Sequence, residues 1–162
     1  MRSKISFAAC TVATLVFGLA AIQPAGAAPA GDACLLLTSA QVTAALGASV
    51  GPGTHLTPTF LKTCQWTTTD SANGKGGWVT LALQPPDSFQ AAKSLGGRST
   101  AIVVTPVSGI GDDAYYLAVG DNVGLIVKKG NVAFKVAVYQ HGAVQMKMAK
   151  EKPLALQVVS KL

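Results

Sequence analysis

From residue 132 to 139 the chain alternates. Val132, Phe134, Val136 and Val138 share one parity and Lys135 takes the other. A period of two predicts a half-buried antiparallel strand. Residues 114–119 and 123–129 are similar apolar runs. Asp121-Asn122 and Gly130-Asn131 supply tight turns, so the three runs predict a C-terminal meander. Upstream, 60–69 around Cys64-Gln65-Trp66-Thr67 and 78–83 read as two strands. Asn73-Gly74 lies between them in a loop longer than two residues. Residues 101–107 are β-branched and extended in expectation.

Three segments read as helices. Thr38 and Gln41 have the spacing of a capping box, Val42, Ala45 and Leu46 make an apolar stripe, and Gly47 is a stop. Gly51-Pro52-Gly53 then marks a loop. A second helix starts at Pro86 or Asp87, buries Phe89 and Ala92, and ends near Leu95 before Gly96-Gly97. The third is expected mainly from Pro153, with Ala155, Val158, Val159 and Leu162 inward. The alternative is an earlier start with a kink at Pro153. Local hairpins dominate the order of elements. The expected class is α+β: an antiparallel sheet of about five to six strands, ending in the meander, with helices packed on one face.

The first segment has another character. Arg2 and Lys4 precede an uncharged run over 5–22, rich in Val, Leu, Ile and Phe, which Gln23, Pro24 and Gly26 interrupt. Ala25-Gly26-Ala27 then supplies the small residues of a cleavage site. This order predicts a signal peptide over 1–27, a leader over 28–33 and one domain over 34–162. The alternative is an uncleaved anchor, because the run is close to the ~17 residues that span a bilayer. Neither Cys10 nor Cys34 directly follows the apolar run, as a lipid anchor requires. The expectation is a soluble periplasmic or secreted protein without stable membrane insertion after cleavage.

Composition narrows the classes. Charged residues make up 12% of the 162 residues, against about a quarter in soluble domains. The length excludes a multidomain enzyme, and the pattern excludes a coiled-coil rod. Of three cysteines, removal of 1–27 leaves Cys34 and Cys64. An even pair in an exported chain reads most simply as one disulfide. It would tie the N-terminal helix to the first strand. Residues 28–121 hold four basic and six acidic side chains, whereas 122–162 hold seven Lys and one Glu. Lys128, Lys129, Lys135, Lys147, Lys150 and Lys152 are thus candidates for an anion-facing surface. The alternative is a solvated lysine face. With one Arg after residue 27 and an export signal, nucleic acid is not expected as a partner.

No pattern commits the chain to chemistry. Gly109-Ile110-Gly111-Asp112-Asp113-Ala114 fits a loose dinucleotide fingerprint, but the segment after it reads as a strand, where the fingerprint needs a helix N-terminus. Asp112 and Asp113 are adjacent, so in a strand they point to opposite faces. His55 and His141 stand far apart in loops, and their spacing indicates no metal site. Trp66, Trp78, Tyr115 and Tyr116 are the aromatic candidates for a recognition face, with core packing the expected role of the tryptophans. No catalytic, cofactor or metal residue is assigned.

The order Cys34 to Gly47, then Cys64-Gln65-Trp66, then 107–115 leading into a meander and a closing helix resembles small bacterial cell-envelope proteins of unknown function, many of them lipoproteins. In layout it is also similar to extracellular sensor domains of bacterial receptor kinases. The resemblance spans most of 34–162 and implies a Cys34–Cys64 pair in a non-enzymatic envelope domain. The expected function is an exported binding or sensor-like domain, its partner an envelope component or another protein. The alternatives are an envelope hydrolase using His and Asp residues, or a structural or inhibitory interaction protein.

Overall fold

The computed structural model of the chain describes residues 31–69, 76–96 and 98–162. The expected signal segment over 1–27, residues 28–30 of the leader and the Asn73-Gly74 turn lie outside the described residues.

The fold is α+β, and the described residues form one antiparallel sheet of seven strands and three α-helices. The strands are β1 (Thr54–His55), β2 (Thr63–Thr67), β3 (Gly77–Gln84), β4 (Ile102–Val107), β5 (Asp113–Val119), β6 (Asn122–Lys129) and β7 (Val132–Gln140). The helices are α1 (Ser39–Leu46), α2 (Pro86–Lys93) and α3 (Val144–Val159), and a 3-10 turn, Ala33–Leu35, precedes α1. The spatial order is β1-β2-β3-β7-β6-β5-β4. Two meanders, β1–β3 and β4–β7, therefore meet where β3 pairs with β7.

The count exceeds the expected five to six because β1, a two-residue edge strand, sits in what reads as a loop. β2 is shorter than expected. Residues 60–62 are exposed, and the Leu61 carbonyl is drawn aside to accept the Ala33 amide at 2.9 Å.

α1 is capped as its sequence predicts: Thr38 Oγ accepts from the Gln41 amide, Gln41 Oε1 accepts from the Thr38 amide, and Gly47 closes the helix at φ 69°. α1 packs on α3, and α3 lies over β6 and β7. The main core lies beneath them, with Leu81, Leu125, Phe134 and Val136 from the sheet and Leu154, Ala155 and Val158 from α3. A second cluster forms on the opposite face, where Phe89 of α2 packs against Tyr115, Ile126 and Ala133. The helices are thus divided: α1 and α3 on one face, α2 alone on the other. The adjacent tyrosines show why. Tyr116 Oη reaches the Met148 carbonyl of α3 at 2.8 Å, and Tyr115 Oη reaches the Phe89 carbonyl of α2 at 2.7 Å.

α3 starts at Val144, nine residues before the expected Pro153, and runs through it. Pro153 lacks an amide for the Ala149 carbonyl, but both residues are exposed, so that carbonyl meets water. Cys34 and Cys64 are bonded, with Cα atoms 5.0 Å apart. The bond ties the 3-10 turn before α1 to β2. Among the described residues, both core clusters, the sheet and the disulfide lie within 31–162. No helix among the described residues is long and apolar enough to cross a membrane.

Candidate functional site

The β6–β7 ladder stops at Leu125↔Val136. Beyond it β7 stays with β3 as far as Gln140↔Gly77, and the start of β6 stays with β5. The two strands part, and a cleft of about 510 Å³ opens at that end of the sheet. Ligand sites commonly measure ~300–1,000 Å³.

Glu151 of α3 occupies the root of the split. It is fully buried. Its Oε1 accepts from the Val138 amide at 2.9 Å, the Leu125 amide also bonds its carboxylate, and Oε2 has no partner. The carboxylate thus replaces the neighbouring strand for two amides at the parting point. Burial pushes its pKa up to about 7, against the pull of Lys135 and Lys147. Gly124 helps on the other face: a Cβ there would collide with the Lys135 side chain lying across it.

The cleft wall carries an aromatic pair. Trp78 and Tyr139 face each other across β3 and β7 with ring centroids 5.0 Å apart and planes 15° from parallel. Trp78 is 41% exposed, which corrects its expected place in the core; Trp66 is buried as expected. Gly77 makes room for the pair's strands, because a Cβ there would strike the Tyr139 carbonyl. Asp121 and Asn122, from the β5–β6 turn, form the opposite wall, and His141 and Lys147 complete the lining. Lys147 Nζ donates to the Asp121 carbonyl at 2.7 Å and so bridges α3 to that turn.

The six candidate lysines do not form one surface. Lys128 and Lys135 are in register with Ala133, Ile126 and Tyr115 on the α2 face. Lys147, Lys150 and Lys152 are on α3, across the sheet. Lys150 Nζ donates to the Leu46 carbonyl at the end of α1 and to Gln140 Oε1, and burial lowers its pKa. Lys129 faces Asp112 at 3.5 Å. Alternation across strands and the division of helices explain the separation.

The other candidates are also held apart. Asp112 accepts from the Gly130 amide at 2.6 Å, a bond that holds its carboxyl below the usual range, while Asp113 pairs with Lys93 at 2.6 Å. The Gly109–Gly111 turn leads into β5, so no helix N-terminus opens there. His55 bonds Asp32 at 2.8 Å and lowers its pKa. Donor atoms of Asp32, Cys34 and His55 lie within 4.8 Å of one another. The sulfur is committed to Cys64, and two remaining ligands fall short of the three or four of a zinc site. His141 lies at the Gln140 end of β7, whereas Asp112 and Asp113 lie at the other end of the sheet, so these three residues do not share a cleft; His55 pairs with Asp32, and Asp121 lines the cleft with His141.

Sequence reasoning missed Glu151, Asn122 and Lys147 as parts of one site. The glycine inside the β6 run was the available signal. Comparisons with protein-family models, with curated proteins and with solved structures found no match.

Proposed function

We propose that the chain is an exported cell-envelope binding domain without catalytic activity, and that its ligand sits in the β6–β7 cleft. The stacked Trp78–Tyr139 pair at the cleft carries this reading. An exposed aromatic pair beside amide and imidazole groups is the mixture that ligand sites use, apolar area for affinity and a few polar groups for orientation. Among the described residues the lining carries one carboxylate, Asp121, and one ammonium, Lys147. Their balance favours an uncharged polar ligand with a flat apolar face, which a sugar ring offers. The disulfide supports an exported setting.

Trp78 is the exposed indole and Trp66 is buried, so fluorescence changes report on the cleft. Residues 28–162 titrated with soluble envelope polysaccharide fragments are expected to give a saturable change in emission. Trp78→Ala removes the signal. Calorimetry on Tyr139→Ala and Asn122→Ala is expected to show affinity losses of about tenfold each, the size of one modest contact. Unchanged affinity in both variants rejects the cleft as the site.

A further inference from the structure

At the corner where the chain enters the domain, four large apolar side chains face solvent. Leu35 is 53% exposed, Leu56 58%, Phe60 50% and Leu61 45%. The backbone gathers them. Leu56, Phe60 and Leu61 share the loop between β1 and β2, and the Ala33 amide bonds the Leu61 carbonyl beside Leu35. The Cys34–Cys64 bond and the Asp32–His55 pair fasten this corner to the sheet. Scattered exposed leucines are ordinary, whereas several gathered on one corner mark an interaction surface.

Two ammonium groups flank the cluster. Lys62 follows Leu61 and is exposed, and Lys161 Nζ donates to the Leu35 carbonyl at 3.3 Å. Chain length supplies a further argument. Between the uncharged run over 5–22 and Gly31 lie residues 23–30. Eight residues reach at most about 28 Å. While that run is in a bilayer, this corner stays within that distance of the lipid surface.

We propose that this corner docks on an anionic lipid surface, with Leu35, Leu56, Phe60 and Leu61 entering the headgroup–acyl boundary and Lys62 and Lys161 at the level of the phosphates. Buried apolar area and attraction to anionic lipid are the two sources of such interfacial binding. The docking is peripheral and spans nothing. It is also separate from the cleft. The loop enters β2 at Thr63, which pairs with Ala82, whereas Trp78 pairs with Thr67 at the far end of the same ladder. A docked domain therefore leaves the cleft open.

The test uses residues 28–162, which hold both core clusters found among the described residues, with vesicles of phosphatidylglycerol and phosphatidylcholine or of phosphatidylcholine alone. Co-sedimentation is expected with the anionic vesicles. Leu56→Ser/Phe60→Ser/Leu61→Ser is expected to weaken it at least about tenfold. Lys62→Gln/Lys161→Gln is expected to weaken it less and to reduce its salt dependence. Thermal melts verify that the variants remain folded. Independently, lipids brominated near the headgroup should quench the indole introduced by Phe60→Trp. Absence of vesicle binding, or absence of that quenching, overturns the proposal. So does binding that the triple serine variant retains. Self-association that the same variant abolishes, without lipid binding, assigns the corner to a second copy instead.

Discussion

Glu151 places a titratable group where the sheet divides. Its pKa is raised from 4.5 to about 7 by burial, so the folded chain holds a proton there that the unfolded chain releases above pH 4.5. The neutral carboxyl contributes its full stability below that value, and the contribution is lost as pH rises through about 7. A shift of this size corresponds to about 3 kcal/mol. Glu151→Gln keeps an acceptor for the Val138 amide and removes the titration. The stability difference between parent and variant should therefore move by about that amount between pH 4.5 and 7.5, in favour of the variant at high pH. Denaturant unfolding at a series of pH values measures it, and a difference independent of pH contradicts the assignment.

Among the elements, α3 was the least legible in the sequence. Its buried residues are Lys147, Glu151, Leu154, Ala155 and Val158, which have helical spacing. The first two are charged, so the apolar stripe becomes visible only after Pro153, where the helix was expected to start. Lys147 is buried because it reaches the Asp121 carbonyl, and Glu151 because it takes up strand amides; both partners are distant in sequence. By contrast α1, with its own cap and stop, and β7, with Val132, Phe134, Val136 and Val138 on one face, are specified locally and could be read directly, although β7 is buried on its second face too at Ala133 and Ala137 rather than half-buried. The cleft depends on where the β6–β7 ladder stops, and only the pairing of distant residues reveals that. Pro153 also leads to a prediction. A proline inside a helix costs about 3 kcal/mol, partly offset by the stiffer unfolded chain. Pro153→Ala should give the Ala149 carbonyl an amide partner and raise stability by about 1–2 kcal/mol in thermal or denaturant melts. A loss of stability would mean that the proline's stiffening of the unfolded chain outweighs the missing bond.

For the whole molecule, the disulfide fastens the N-terminal corner across 30 residues of sequence. Its removal by Cys34→Ser/Cys64→Ser should cost about 2–5 kcal/mol in denaturant unfolding. A loss below 1 kcal/mol would show that the Asp32–His55 pair and the Ala33–Leu61 bond hold the corner without it. The class and the C-terminal meander were legible because hairpin strands carry their own alternation. The division of helices was not, because α2 is short and its side of the sheet is decided by Phe89 meeting Tyr115 rather than Tyr116.

The pairing of β3 with β7 also bears on biogenesis. β3 is complete at Gln84, and its second neighbour begins at Val132, after α2 and three further strands have been made. In a chain made from its N-terminus, Cys34 can meet Cys64 while β3 still offers a row of unpaired amides and carbonyls beside Val79, Leu81 and Leu83. Unprotected edges of this kind invite intermolecular pairing until the late strand arrives. The half-made protein is therefore at its most aggregation-prone after its covalent staple can form, and any factor that shields it would act in the interval before residue 140 emerges.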